Sequence, residues 1–88
     1  MNNALKALLA TMLNRRYIGG KHIPEDRLVK SKTKWLGKKA VDEFEDEYRR
    51  AINDGLILRQ QKRTHRGFGP HISLNPRKLR EEINLAVE

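Results

Sequence analysis

The chain has 88 residues, and its 19 lysines and arginines against 11 aspartates and glutamates give a net charge of +8, which favours polyanionic partners. The absence of cysteine excludes a disulfide framework and a thiolate metal site. No apolar run approaches the roughly 20 residues that a membrane-spanning helix needs, so no membrane partner is expected. We expect one cytoplasmic domain over residues 1–88, associated with the nucleoid if the source is prokaryotic.

An apolar stripe at helical spacing predicts the first helix, over residues 3–16, with Asn3 as its N-cap. The stripe consists of Leu5, Leu8, Leu9, Met12 and Leu13. Gly19-Gly20 is expected to break the helix, after Tyr17-Ile18 has folded back on the core.

The segment Lys21-His22-Ile23 has the length of a minimal strand and precedes a second helix, predicted over residues 24–36. Pro24 suits the first position of that helix, where its missing N–H costs nothing. Trp35 keeps helical spacing with Leu28, which places its ring in the core. The weak helix formers at residues 31–33 leave open a break in the middle.

The stretch from Leu36 to Leu74 organises the rest of the chain. It predicts a third helix over residues 39–54 with an apolar stripe, ended by Gly55 in the left-handed conformation. The stripe consists of Val41, Phe44, Tyr48, Ala51 and Ile52. A hairpin over residues 56–74 follows, because the apolar runs 56–58 and 72–74 flank a basic loop that contains glycine.

A fourth helix is predicted over residues 76–87, because Asn75-Pro76 is typical of an N-cap followed by proline at the first helical position. Its narrow stripe of Leu79, Ile83 and Val87 either closes the core or pairs with a second chain, so a homodimer through this helix is left open.

The order helix, short strand, helix, helix, strand, wing, strand resembles the winged helix-turn-helix family. Leu36-Gly37 before the third helix, the stripe of that helix, and Asp54-Gly55-Leu56-Ile57 leading into the wing carry the resemblance. It implies a mainly α, α+β fold, in which a three-helix core carries a two- or three-stranded sheet and a C-terminal helix.

In that family the third helix usually enters the major groove and the wing lies on phosphates. The resemblance therefore implies nucleic-acid contacts at three places. They are Lys30, Lys32 and Lys34 on the second helix and its turn, Lys38 and Lys39 at the start of the third helix, and Arg59, Lys62, Arg63, His65, Arg66 and Phe68 on the wing. Phe68 either wedges against a sugar or base or tucks beneath the hairpin.

The third helix departs from the family pattern, because its exposed face would present Asp42, Glu43, Glu45, Asp46 and Glu47. Carboxylates beside phosphates repel a duplex, so deep insertion of this helix is not expected. The sequence predicts a small basic protein that binds double-stranded DNA through the wing and the lysines, with limited base readout, in the manner of a transcription regulator.

Two other functions fit the same features. One is a protein–protein interaction module in a larger assembly, with the acidic helix face against a basic partner, and the other is RNA binding of the ribosomal type. An enzyme is not expected, because the carboxylates lie on a convex helix surface and no nucleophile motif is present. His22, His65 and His71 lack the spacing of metal ligands, so no metal or cofactor residue is predicted.

Overall fold

The computed structural model describes residues 1–64 and 67–87, which form four α-helices and a three-stranded antiparallel sheet. In chain order these are α1 (Asn3–Asn14), β1 (Ile23–Pro24), α2 (Glu25–Thr33), α3 (Lys38–Asn53), β2 (Ile57–Thr64), β3 (Gly67–Leu74), a 3₁₀ turn (Pro76–Lys78) and α4 (Leu79–Val87). The predicted α+β class is confirmed. Within this part of the chain no helix has the length and apolar character needed to cross a membrane.

Helix α1 supplies the centre of the core. The predicted stripe is confirmed, because Leu5, Leu8, Leu9 and Met12 are buried. The N-cap is Asn2 rather than Asn3, since the Asn2 side chain accepts hydrogen bonds from the backbone amides of the first turn. The helix ends at residue 14, two residues before the predicted end, because the backbone turns into the left-handed region at residue 16 and reverses direction.

Helix α2 ends at Thr33 rather than residue 36, and the prediction that Trp35 lies in the core is wrong. The Ser31 and Thr33 hydroxyls donate to backbone carbonyls of their own helix, which weakens its last turn. The Leu36 amide then donates to the Thr33 carbonyl at 3.0 Å in a tight turn. This turn packs Leu36 against the core and leaves Trp35 83% exposed.

Helix α3 begins at Lys38, one residue before the prediction, and its apolar stripe faces the core. Phe44 is buried, and its ring stacks on Tyr48 with centroids 5.4 Å apart. The predicted glycine stop is confirmed, because Gly55 has φ +78°. Its amide donates to the Ile52 carbonyl and the Leu56 amide to the Ala51 carbonyl, the two bonds that close a Schellman motif.

The strands form a sheet in the order β1-β3-β2. The predicted hairpin is confirmed, and β2 and β3 pair over all eight residues of each strand, from Ile57 opposite Leu74 to Thr64 opposite Gly67. The prediction of a basic loop between the two apolar runs is wrong, because residues 59–64 and 67–71 continue the paired strands. The two residues of β1 pair only with Ile72 and His71 of β3. The sheet is therefore three-stranded only near the core, and the rest of the hairpin extends beyond β1 as two strands.

Helix α4 packs against α1, but with a different face from the predicted stripe. Ile83 and Val87 are 48% and 77% exposed, whereas Glu82 is fully buried and Leu85 packs against the core. The Asn75 backbone amide donates to Glu82 Oε2 at 3.1 Å, which fixes the rotation of the helix. Periodicity of apolar residues alone cannot find this face, because a carboxylic acid lies at its centre.

Candidate nucleic-acid interface

The first group of predicted contacts lies on α2 and in the turn between α2 and α3. We call it the α2–α3 lysines, and it consists of Lys30, Lys32, Lys34, Lys38 and Lys39. All are exposed except Lys32, which is half-buried. Lys38 is the first residue of α3, where the backbone amides of the first turn also favour an anion. The structure thus presents the predicted lysines to solvent on either side of a sharp turn.

The hairpin cations divide between the two faces of the sheet, because side chains alternate along a strand. Arg59 lies opposite the buried Ile72, and Arg63 lies opposite Phe68, so these side chains share the face that continues into the core. Phe68 is 67% exposed and does not tuck beneath the hairpin. Lys62 lies on the other face. The predicted hairpin contacts therefore do not form one continuous patch.

Lys62 accompanies a pair of histidines on its face of the sheet. His22 Nδ1 and His71 Nδ1 are 2.7 Å apart, so one ring donates a hydrogen bond to the other. Burial of His22 lowers its pKa, and the neighbouring His71 and Lys62 lower it further. Over residues 1–64 and 67–87, no group of three or more potential ligands is arranged to hold a metal ion. The predicted contacts His65 and Arg66 lie outside the described residues.

Arg59 is held in place by two residues that the sequence interpretation did not assign to the interface. Its Nε donates to Glu25 Oε2 at 2.8 Å and its Nη2 to Glu25 Oε1 at 3.1 Å. The Tyr48 hydroxyl donates to the same Glu25 Oε2 at 2.7 Å. We call these three side chains the Glu25 node. It joins the start of α2, the middle of α3 and the base of the hairpin, so two of the three guanidinium nitrogens of Arg59 are already engaged.

The electrostatics of the Glu25 node agree with this geometry. The hydrogen bonds and charge of Glu25 raise the pKa of Arg59. Burial raises the pKa of Tyr48 strongly, and the hydrogen bond to Glu25 raises it further, so its hydroxyl keeps its proton. No local pattern announces such a contact, because 34 residues separate Glu25 from Arg59.

An open groove of about 690 Å³ lies between α2, α3 and β2, beside the Glu25 node. Charged side chains of both signs line it. They are Glu25, Asp26, Lys30, Glu45, Arg49 and Arg59. Because its lining contains both charge signs, the groove does not favour an anionic or a cationic ligand, and the groove does not extend the basic surface.

The outward side of α3 is acidic, as the sequence predicts. Asp42, Glu43, Glu45 and Asp46 are exposed, and we call these four the acidic face. The fifth predicted carboxylate, Glu47, is half-buried and accepts two hydrogen bonds from the Asn2 amide, at 2.9 and 3.1 Å. Glu47 therefore stabilises the N-terminus of α1.

The geometry leaves two separate basic surfaces rather than one. Lys38 precedes Tyr48 by ten residues of α3, which places it ~15 Å along the helix axis from the Glu25 node. Arg63 lies four residues beyond Arg59 along β2, which is ~13 Å further from the same node.

Comparison with protein-family models, with curated proteins and with solved structures gives no match.

Proposed function

We propose that the chain is a winged-helix protein that binds double-stranded nucleic acid, DNA in particular, through its phosphates. The order of α1, β1, α2, α3 and the β2–β3 hairpin supports this proposal, as does the pairing of β1 with β3. In this assignment the hairpin is the wing, and α2 and α3 are the helix-turn-helix pair.

The separation of charge on the surface is the observation that carries the proposal. The α2–α3 lysines and Arg63 are cationic and reach solvent, apart from the half-buried Lys32, whereas the acidic face occupies the outward side of α3. A duplex that approached α3 broadside would bring its phosphates against four carboxylates. Contact through the start of α3 and the hairpin avoids this repulsion. The expected complex therefore relies on phosphates and reads few base edges.

The Glu25 node connects the elements that carry the two basic surfaces used in this mode of binding. It ties the base of the hairpin to both helices, which limits how the hairpin that carries Arg63 can move relative to α3. Two cationic surfaces joined rigidly can contact phosphates at two places on one duplex without a large loss of conformational freedom. Arg59 serves here as a positioning residue for the hairpin, with one guanidinium nitrogen left for a phosphate.

The salt dependence of duplex binding tests the proposal. Each phosphate contact contributes about 0.9 to the slope of log K against log salt concentration. We expect Lys38→Ala/Lys39→Ala to reduce the steepness by about 1.8 and Arg63→Ala by about 0.9, with weaker binding in both cases. The measurement is the fluorescence anisotropy of a labelled blunt duplex at several salt concentrations.

Arg80→Ala is the matched control, because Arg80 is an exposed cation on α4. Its loss lowers the net charge by the same amount as Arg63→Ala, but it should leave the slope nearly unchanged. If Arg80→Ala lowers the slope as much as Arg63→Ala does, the binding is a general effect of net charge and the proposed interface is wrong. The sequence also predicts a loss for Arg63→Ala/Arg66→Ala, which the same titration measures.

A protein partner on the acidic face is the second candidate function. Its four carboxylates are exposed, and in the described part of the chain none of them forms an ion pair within 4 Å. Such a face suits a basic protein surface. The variant Asp42→Lys/Glu43→Lys reverses the charge of half of the acidic face. If a basic protein binds this face, the variant should no longer capture it. If DNA approaches this side instead, the variant should bind a duplex more tightly than the wild type does.

A further inference from the structure

Trp35 is the only tryptophan of the chain, and its ring is 83% exposed in the turn between α2 and α3. A small protein normally uses its largest aromatic side chain in the core, where the ring removes about 150–250 Å² of surface from water. Here the ring faces solvent, and Lys34 Nζ lies over it, 5.1 Å from its centroid. The structure therefore keeps a large apolar surface available beside a cation.

The backbone holds this ring in a defined place. Thr33 ends α2 immediately before the turn, and its carbonyl accepts the Leu36 amide. Leu36 packs against the core, and Gly37, the N-cap of α3, follows it directly. Trp35 is thus fixed between two anchored neighbours, and a ligand that covers its ring loses little backbone freedom on binding.

The stretch of chain that carries Trp35 is cationic. The segment from residue 27 to residue 41 contains Arg27 and the α2–α3 lysines but no aspartate or glutamate. A planar aromatic ring beside lysines matches an unpaired nucleotide, because the base can stack on the ring while the lysines contact the flanking phosphates. A lipid surface fits less well, because binding to a membrane needs several apolar side chains on one exposed face. In the described turn Leu36 packs against the core, and Trp35 is the one large apolar side chain that is mostly exposed.

We propose that Trp35 is a stacking platform for an unpaired nucleobase, and that the preferred ligand is a duplex with a single-stranded extension. The proposal rests on the proposed binding of nucleic acid and specifies which form is bound. The duplex lies on the two basic surfaces, and the first unpaired base beyond its end covers the Trp35 ring. Stacking does not depend on base identity, so the expected preference is for the unpaired state and not for a sequence.

Because Trp35 is the single tryptophan, its fluorescence reports this contact directly. Excitation at the red edge of the absorption band avoids Tyr17 and Tyr48. We expect strong quenching by a duplex with a single-stranded extension, weaker quenching by the same blunt duplex, and none by inorganic polyphosphate, which carries charge without bases. Unchanged fluorescence at saturation with the extended duplex would overturn the proposal.

Variants provide a second measurement that does not need the fluorophore. Trp35→Ala should weaken binding of the labelled extended duplex by about 5- to 150-fold, the range for loss of one base–aromatic stack, and weaken the blunt duplex much less. Trp35→Phe should restore part of the affinity, because it restores an aromatic face. Ile83→Ala is the control, since Ile83 is an exposed apolar residue on α4. Far-UV circular dichroism confirms that each variant is folded.

The outcomes separate this inference from the function on which it rests. If Lys38→Ala/Lys39→Ala weakens duplex binding but Trp35→Ala binds both ligands like the wild type, the stacking site is wrong and the proposed function stands. If the wild type binds neither ligand at low salt, both are wrong. If vesicles with anionic lipid shift the Trp35 emission to shorter wavelength and the extended duplex does not quench it, the ring is a membrane contact and the proposal is overturned.

Discussion

Glu82 offers the sharpest test of the structure, because a carboxyl group lies fully buried where α4 packs on the core. Its Oε2 accepts the Asn75 amide, whereas its Oε1 has no hydrogen-bond partner in the described part of the chain. The informative substitution is Glu82→Gln, which keeps the shape of the side chain and an acceptor for Asn75 but cannot ionise.

Burial raises the pKa of Glu82 from its ordinary value of 4.5 to about 7, and the neighbouring Glu81 adds to this. The Asn75 hydrogen bond and Lys78 oppose the increase. The folded chain therefore holds the proton more tightly than the unfolded chain. The resulting stability is complete below pH 4.5 and is lost as pH rises through about 7. At about 1.4 kcal/mol per pKa unit, ionisation of Glu82 costs the folded state about 3 kcal/mol.

The measurement is the free energy of unfolding of wild type and Glu82→Gln in urea, across a range from pH 4.5 to pH 8. Far-UV circular dichroism is the suitable signal, because Trp35 is exposed in the folded state and its emission changes little on unfolding. The difference between the two proteins cancels every other titration. We expect the advantage of Glu82→Gln to grow by about 3 kcal/mol over this range.

Glu81→Gln is the matched control, because Glu81 is an exposed neighbour on the same helix. Because the charge of Glu81 raises the pKa of Glu82 less than burial does, the stability difference of Glu81→Gln from wild type should change with pH much less than that of Glu82→Gln. A constant difference for Glu82→Gln would refute the reasoning, because the carboxyl group would then reach water in the folded protein, and the packing of α4 would differ from that described.

Three further predictions concern the Glu25 node, the histidine pair and the end of α3. Tyr48→Phe removes the hydroxyl that donates to Glu25, and should lower the free energy of unfolding by about 1–3 kcal/mol in denaturant titrations. The pKa of His22 is lowered, so the neutral ring favours folding and its contribution is present above pH 6.5 and lost below it. His22→Gln should therefore weaken the loss of stability that follows acidification below pH 6.5, measured in the same way. Gly55→Ala places a side chain at φ +78° and should lower the unfolding free energy by about 1–2 kcal/mol.

Each of these predictions has a control or a contrary outcome. Tyr17→Phe removes a hydroxyl for which no hydrogen bond is present in the described structure, so it should cost less than Tyr48→Phe. Gly20→Ala should be nearly neutral, because a Cβ there meets nothing within 4 Å and the backbone is not left-handed. If Tyr17→Phe and Tyr48→Phe cost the same, the hydrogen bond from Tyr48 to Glu25 does not contribute to stability. If Gly20→Ala and Gly55→Ala cost the same, the left-handed backbone at Gly55 causes no strain. If His22→Gln loses as much unfolding free energy below pH 6.5 as the wild type does, protonation of this ring does not oppose folding.

Local patterns predicted those parts of the fold in which local chemistry and tertiary packing agree. The stripe of α1 and the glycine stop of α3 were found because spacing and a left-handed glycine are both visible in a few neighbouring residues. The pairing of the apolar ends of the hairpin was found for the same reason. These features do not require knowledge of distant contacts.

The errors arose where distant contacts decide the outcome. Trp35 was assigned to the core because its spacing fits a helix, but the turn that inserts Leu36 into the core rotates its neighbour outward. In α4 an apolar stripe was predicted, but the Asn75 amide draws the carboxyl of Glu82 inward and exposes Ile83. The pairing of Arg59 with Glu25 has no local signal at all.

The packing of α4 against α1 has a consequence for how the protein is made. The apolar stripe of α1 is synthesised well before α4, which is one of the helices that cover it. At ~5–20 residues per second, the ~65 residues between the two helices take several seconds to translate. During that time the α1 stripe lacks its α4 partner, so part of its apolar surface stays uncovered. The core closes only after α4 has left the ribosome.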